Sequence, residues 1–560
     1  MSTTDNTKYA TLSGAPSSTY DPSPLEMDAE TFYHLGMLAV EIATEYLEGI
    51  PQKPVYRPMT PSERQLLLYQ QLPNHGRSPE ALFDFFEEHI LPHAMGNQHP
   101  RFAAWVNPAG APIGMLAEFL AAVMNPSTAG GDHAAIYLEH CVVRWLMELI
   151  DFPVEGSAGI LVGGGSLASL YCLAVARHWA AAQGGWSMRT EGLQGQHPPL
   201  VLYISEEGHS CLRKSSHLLG LGEPRLIPVG MQFKMDLPAL RKAVNTDRKE
   251  DRRPFCVVAS AGTVNTGAVD PLEELADFCT EQGLWLHVDG AYGAFGILDP
   301  NVSHLYAGLE RADSVALDPH KWLATPIECS CAIVRQGDLL RETFSLVPPY
   351  LRTEPDKGFG GMPWFAEYGF QQTRHFNALK LLWVIQQAGR KGLVAHVARH
   401  NTLAQYMASL VDDVPDLELM APVELSIVCF RYVPDTLRED EEQLDASYSQ
   451  AKKVLRQFPG IGEPGAEKIL LFSRKQAVLA LDSNGLRVLL RVGFGEECKS
   501  YQATYRAVQA AAQASSRQDF VWLIETHQLL RHHGQVLCKR TSPLCHVCPL
   551  QANCQYYQNS

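Results

Sequence analysis

The stretch Asp313-Ser314-Val315-Ala316-Leu317-Asp318-Pro319-His320-Lys321-Trp322 sets a lysine just past a short apolar run. Residues 314–317 read as a buried strand, and Trp322 and Leu323 flank the lysine with apolar bulk. Desolvation lowers a lysine pKa and frees the amine to form a Schiff base with an aldehyde. The plain alternative is a surface lysine at a strand–loop junction, the common case for this residue type. Three further features weigh against it. Gly163-Gly164-Gly165-Ser166 follows the apolar run 159–162 and enters a helical pattern. A strand turning through glycines into a helix offers free N–H groups and the positive end of the helix dipole, which is a seat for phosphate. Alone, the same glycines fit a simple tight turn. Asp289 directly follows Leu286-His287-Val288, where a carboxylate is costly to bury without a positive partner. His209, soon after the run 200–204, offers a flat ring. Read singly, Asp289 is a strand-end cap and His209 a loop histidine.

The elements that must position these residues are strands at 200–204, 256–259, 284–288, 314–317 and 331–334, alternating with helices at about 238–244 and 272–281. That order predicts an α/β fold, a mostly parallel sheet covered by helices on both faces. Chemistry in such folds gathers at the carboxyl ends of the strands, where His209, Thr263, Asp289 and Lys321 all fall. Further helices are expected over 28–48, 78–90, 113–124 and 138–150. Pro51, Pro54 and Pro58 extend the lead-in, which suits an arm wrapped on a partner subunit or, equally, a plain helical cap. A phosphate seat, a carboxylate, a stacking face and an amine are what pyridoxal phosphate requires, the carboxylate keeping its ring nitrogen protonated.

Composition narrows the alternatives. Of 560 residues 46% are hydrophobic and 19% charged, ordinary for a globular chain of about three to four domains. A net charge of −15 argues against a generally basic nucleic-acid-binding surface and leaves only a local patch open. The chain opens without a secretory signal pattern, and no run of about 18 apolar residues exists to span a membrane. Residues 1–27 read as a loose Ser/Thr-rich tail. Nine of the 13 cysteines are scattered or lie in apolar strands, as Cys256, Cys331 and Cys429 do. Reduced thiols in a cytoplasmic protein show that pattern.

In order along the chain, His99-Pro100-Arg101-Phe102, Gly164-Gly165-Ser166, His209, Gly262-Thr263-Val264-Asn265-Thr266-Gly267, His287-Val288-Asp289-Gly290-Ala291 and Asp318-Pro319-His320-Lys321-Trp322 resemble the group II pyridoxal-dependent amino-acid decarboxylases. These include the aromatic amino-acid and glutamate decarboxylases. The resemblance covers about 28–442, with further matches at 370–381 and 425–432. It implies a fold-type-I homodimer with active sites at the subunit interface, converting a small-molecule substrate, an aromatic or acidic L-amino acid, to an amine and CO₂. It makes Lys321 the internal aldimine lysine, pairs Asp289 with the pyridine nitrogen, and has His209 stack on the ring and shuttle a proton. Thr263, Ala291, Asp318 and His320 line the cofactor, and Gly165 and Ser166 take the phosphate. The domains it implies are a dimerisation arm (28–95), a cofactor-binding large domain (96–395) and a partial small domain (396–446). Trp105 and Asn107 are candidate pocket walls.

Two departures bear on chemistry. The family's phosphate turn, Thr-Ser-Gly-Gly-Ser-Glu-Ala-Asn, reads here Val162-Gly163-Gly164-Gly165-Ser166-Leu167-Ala168-Ser169, so hydroxyl contacts are lost. After Lys321 the family carries a mobile loop whose tyrosine returns the proton once CO₂ has left. An ungapped count back from Arg374 puts Phe365 at that place, with Tyr368 three residues on. In related aldehyde synthases a phenylalanine there goes with oxidative deamination. The expectation is decarboxylation with Tyr368 or water as the acid, and aldehyde formation second.

Residues 447–560 change character. Gly460-Ile461-Gly462 is a hairpin pattern able to present N–H groups to a DNA phosphate. Cys538-x6-Cys545-x2-Cys548-x5-Cys554 reads as a metal site, iron–sulfur or zinc, with disulfides the poorest fit. The segment resembles the C-terminal half of the endonuclease III family of helix-hairpin-helix DNA glycosylases, over about 449–557. It implies an α-helical segment in which the four cysteines carry a [4Fe–4S] cluster and Asp482 matches the catalytic aspartate. The lyase lysine, however, aligns with Pro464, and half the glycosylase domain is missing. The rival to an enzyme with a cluster-bearing tail is a DNA-binding repair module behind a vestigial enzyme.

Overall fold

A computed structural model of the chain describes residues 25–103, 105–194, 197–346, 362–433, 463–472, 477–514, 517 and 519–558. Two compact units divide it, Met1–Asp413 with Leu419–Phe430, and Val414–Glu418 with Arg431–Ser560.

The first unit is built on seven strands: β1 (Ala158–Val162), β2 (Leu200–Ser205), β3 (Arg225–Ile227), β4 (Arg253–Ser260), β5 (Trp285–Asp289), β6 (Ser314–Leu317) and β7 (Ser330–Val334). Their order is β1-β7-β6-β5-β4-β2-β3. The run from β6 to β3 is parallel, and β7 is antiparallel to both β6 and β1. Strands β2, β6 and β7 are buried along their whole length, as a sheet covered on both faces requires. Period-two alternation sorts the side chains. Leu286 and Val288 join Val257, Ala259, Val315 and Leu317 on one face. Trp285 joins Leu202, Ile204, Cys256 and Val258 on the other. His287 and Asp289, in step with Trp285, therefore face that second layer.

The helices are α1 (Ala29–Gly49), α2 (Pro61–Leu68), α3 (Pro79–Phe85), α4 (Pro112–Met124), α5 (Ala134–Leu149), α6 (Gly165–Gln183), α7 (Ser210–Leu218), α8 (Leu237–Lys249), α9 (Leu272–Gln282), α10 (Pro319–Trp322), α11 (Asp338–Phe344) and α12 (Asn377–Asp412). Their starts follow capping chemistry. Asp28 Oδ1 accepts the Thr31 amide at 2.8 Å, and Thr60 and Glu63 form a reciprocal capping box. The single helix expected over 78–90 divides into α3 and a π turn at Phe86–Ile90.

One expectation is overturned. Phe365 is fully buried among Ile136, Ile160, Val162, Ala168 and Tyr171. Its ring lies 4.3 Å from the His140 ring and 5.0 Å from the Arg374 guanidinium. Arg374 is itself buried, bound to Glu139 and to the Thr128 carbonyl. A ring wedged into that network belongs to the packed core and not to a mobile segment. The partners of Tyr368 are Phe365, Arg341 and Glu367, and none of the groups around Lys321 is among them.

The second unit is α-helical, as expected, with helices Glu463–Phe472, Ser483–Val492, Tyr501–Ala514, Phe520–Val536 and Gln555–Gln558. Leu471, Leu481, Leu486, Tyr505, Val508 and Leu523 form its core. Gly460 and Gly462 lie outside the described residues. Asp482 caps the helix that follows it, its Oδ1 accepting the amides of Asn484 (3.0 Å) and Gly485 (2.7 Å). Cys538, Cys545, Cys548 and Cys554 do line one recess, together with Arg491 and His533. They do not converge on a point. Among the described residues no three His, Cys, Asp or Glu side chains are gathered as an ion site. Nor is any described helix long and apolar enough to cross a membrane.

Candidate active site at the ends of strands β5 and β6

Strand β6 delivers its chain into α10, whose first residue is Pro319, so Lys321 is the third residue of that helix and the fourth past the strand. Its amine lies 2.8 Å from Asp318 Oδ2, in a side chain 24% exposed against 2% for the aspartate. The sequence predicted a poorly hydrated amine; the structure sets it, mostly buried, against a buried carboxylate. The second oxygen, Asp318 Oδ1, accepts the Ser330 hydroxyl at 2.5 Å. His320 belongs to the same network, its Nδ1 2.7 Å from the Cys329 carbonyl oxygen and 3.3 Å from Ser330 Oγ. Asp318 thus serves as the anchor of Lys321.

On the neighbouring strand, Asp289 pairs in register with Ala316. Its Oδ1 accepts the Ala291 amide at 3.2 Å, the one hydrogen bond to this carboxyl among the described residues. Solvent reaches part of the residue, yet the carboxyl itself is packed among protein atoms. Burial pushes it up, while the Lys321 ammonium pulls it back and Asp318 adds repulsion.

The expected phosphate seat falls on the first turn of α6. Its leading amides have no partner within the helix, and the nineteen-residue helix directs the positive end of its dipole there. Gly165 is required by contact, since a Cβ at this position would lie 2.6 Å from Asp318 Oδ2. The seat and the lysine anchor therefore touch. At Gly163, where the family carries serine, a Cβ would meet Glu328 Oε2 at 2.5 Å, so a carboxylate takes the room of the missing hydroxymethyl group. Ser166 is exposed on the first turn.

His209 caps α7, its Nδ1 accepting the Cys211 amide at 3.2 Å, and its ring is exposed. Charge on Lys321, and to a lesser degree on His209, favours the ionised Asp289 carboxyl. Thr263, expected to line the cofactor, is buried in the turn that follows β4. Its buried hydroxyl lies 2.8 Å from the Thr266 hydroxyl and accepts the Ala268 amide at 3.1 Å, which holds the 262–268 turn together. Trp105 is 78% exposed, and Asn107 donates weakly to Met95 Sδ. Sequence reasoning missed Ser330 and Cys211. A lone hydroxyl opening the apolar strand Ser330-Cys331-Ala332-Ile333-Val334 was the signal for the first.

These groups fit pyridoxal phosphate. A buried carboxyl with one hydrogen bond and a raised pKa is stabilised by a cationic ring nitrogen, and a helix N-terminus takes a phosphate. An α/β sheet with this set at its strand ends defines the fold-type-I class of pyridoxal enzymes. Comparison with known proteins narrows it. A family model described as the pyridoxal-dependent decarboxylase conserved domain matches residues 61–433. An aromatic-L-amino-acid decarboxylase of Bacillus atrophaeus is 31% identical over 430 residues, 75% of this chain and 87% of that protein. An acidic amino acid decarboxylase of Homo sapiens is 31% identical over 387 residues, 68% of this chain and 73% of that protein. The crystal structure of Oryza sativa TDC with PLP and tryptamine matches with a TM-score of 0.69 at 25% identity, over 78% of this chain and 90% of that one. The chain belongs to the pyridoxal-dependent decarboxylase family. It is a pyridoxal-phosphate-dependent carboxy-lyase acting on an L-amino acid.

Proposed function

We propose that the substrate is an L-amino acid with an aromatic or an acidic side chain, the aromatic class first, and that Lys321, Asp289 and His209 carry the reaction. The similarity to the Bacillus and rice proteins supports the aromatic class, and that to the human relative the acidic one. The observation that carries the assignment of residues is the Lys321–Asp318 pair at the end of β6, set beside Asp289 at the end of β5.

Bound pyridoxal phosphate supplies an aldehyde for the Lys321 amine and, with its ring nitrogen protonated, an electron sink for the pair left on the α-carbon when CO₂ departs. Asp289 holds the proton at that nitrogen, in a site where the carboxylate gains most from a cation. Asp318 fixes the Lys321 side chain until the amine is called on. The N–H groups of Gly165 and Ser166, with the Ser166 hydroxyl, bind the phosphate. His209, held through Nδ1, keeps Nε2 free to stack over the ring and to carry a proton. Ala291 orients Asp289 through its amide, and His320 buttresses Asp318. Lys321→Ala tests the whole assignment. It should abolish CO₂ release and the yellow colour of reconstituted protein while leaving circular dichroism intact, and retained turnover would refute it.

A homodimer fits the N-terminal arm. In α1 only Ile42 is buried, while Phe32, Tyr33, Met37 and Val40 are exposed, as are Leu116, Phe119, Val123 and Met124 on α4. Phe32 and Phe119 stack at 6.4 Å, so the two faces form one apolar surface of the kind a second copy covers. Thirteen cysteines, all unbridged, are consistent with a reducing cytoplasmic setting.

For the C-terminal unit the reading is a cluster-bearing appendage. What supports it is the spacing Cys538-x6-Cys545-x2-Cys548-x5-Cys554, whose four cysteines line one recess. Anaerobically purified protein should hold iron that Cys545→Ser removes; unchanged iron content sinks the idea. DNA binding has weaker support, because Asp482 is occupied as a helix cap. Salt-sensitive duplex binding would favour it.

A further inference from the structure

Two carboxylates flank the glycine turn that enters α6. Strand β7 runs antiparallel between β1 and β6, so its first residues lie at the carboxyl ends of both neighbours. Ser330 pairs with Val162, the last residue of β1, and Glu328 comes two residues before it, beside the turn. Its Oε2 lies 2.5 Å, and its carboxyl carbon 3.4 Å, from the point a Cβ on Gly163 would occupy. Asp318 Oδ2 approaches the corresponding point on Gly165 to 2.6 Å. The two acids differ in what balances them. Asp318 is buried against the Lys321 ammonium and the Ser330 hydroxyl. Glu328 is exposed, and among the described residues it has no hydrogen bond or ion pair. We propose that Glu328 sets how tightly the chain holds the phosphate of its cofactor: an unbalanced carboxylate on the rim of the turn opposes the incoming anion.

The positive pole of the helix decides the sign. The free amides and the dipole of α6 favour any anion placed there, a glutamate as well as a phosphate. In the empty seat that pole steadies Glu328. A phosphate ester carries a charge of about −1.5 to −2 near neutral pH, and once it occupies the turn the same carboxylate faces like charge. Both effects lower affinity, the first by stabilising the empty protein and the second by destabilising the filled one. Gly163 is what lets the carboxylate in, because a side chain there would take the same space. The glycine that departs from the family's turn and the acid that faces it are therefore one feature. A charge at this range, open to solvent on one side, is worth about tenfold in affinity, and salt screens it.

The inference rests on the first turn of α6 binding the phosphate. Full-length protein is stripped of cofactor and titrated at low salt with pyridoxal phosphate and with pyridoxal, which lacks the phosphate, while intrinsic fluorescence is followed. Glu328→Gln should bind pyridoxal phosphate about tenfold more tightly than the parent, and Glu328→Lys about tenfold more tightly again, with pyridoxal unmoved throughout. High salt should compress the series. No gain in Glu328→Gln, a gain that pyridoxal shares equally, or a lysine no better than glutamine overturns the inference. A parent that holds the two ligands equally has no phosphate seat, and the seat reading falls together with the inference. A parent that prefers pyridoxal phosphate, while Glu328→Gln gains nothing, refutes the role of Glu328 alone.

Discussion

Lys321 Nζ stands 2.8 Å from Asp318 Oδ2, three residues back along the chain, and the other oxygen of that carboxylate accepts the Ser330 hydroxyl. The lysine is thereby tethered to β7 through a carboxylate that is almost fully buried. Asp318→Asn keeps the shape and removes the charge. CO₂ release should fall about ten- to hundredfold through kcat, since placement of the amine is lost. Because Lys321 is about a quarter exposed, solvent limits the stability change to a few degrees in Tm. An unchanged kcat would show that the tether is dispensable.

Asp289→Asn should separate activity from stability. Without a carboxylate to hold the ring-nitrogen proton, turnover should drop by about a thousandfold or more. Burial raises the pKa of this group, so its contribution to stability is present at low pH and is lost as pH rises through the folded value. The cofactor-free Asn variant should therefore melt at or above the parent at pH 8, with the difference closing toward pH 4. A lower melting point at pH 8 contradicts the account.

Asp313 offers a cleaner pH test outside the site. Burial pushes it up to about 6, against the opposing Leu286 amide (2.8 Å) and Arg335. Its stabilisation is complete below the unfolded value near 3.8 and disappears as pH rises through about 6. Asp313→Asn should gain on the parent by on the order of 2 kcal/mol between pH 4 and pH 8, read by urea unfolding. His287, held down to about 4 by burial, works the other way, losing stability as pH falls from 6.5 toward 4. A pH-independent difference for Asp313→Asn would exclude the buried-carboxyl explanation.

The burial of Phe365 changes where the reprotonating acid is sought. Between Lys321 and Phe365 the sequence contains one tyrosine, Tyr350, which lies outside the described residues. If the proton-returning tyrosine of the family is Tyr350, then Tyr350→Phe should divert product from amine toward aldehyde, ammonia and peroxide at the expense of O₂. Product analysis by mass spectrometry with a peroxide assay checks this, and an amine yield equal to the parent's rules it out.

Much of the sheet was legible because parallel strands covered on both faces are unbroken apolar runs. All five predicted strands exist, with Asp289 ending β5 and Lys321 just past β6. The three-residue edge strand β3 was not legible, being too short to show a period. Nor was the Asp318–Ser330 bond, because it joins strands whose pairing no local pattern records. The Phe365 assignment failed for a related reason: an ungapped count assumes a loop of fixed length, and loops are where length varies. In the C-terminal unit the cysteine spacing predicted a metal site; the four residues line one recess, but spacing carries no information on whether four sulfurs close on one centre.

The register of Asp289 with Ala316 has a practical consequence. The gap between Asp289, the group proposed to steady the ring proton, and the Lys321 amine is measured out in peptide units of two adjoining strands, a ruler that side-chain exchange cannot stretch. Remodelling the walls around the substrate can then alter which amino acid is accepted while the working distance stays as it is. The scaffold separates choice of guest from chemistry.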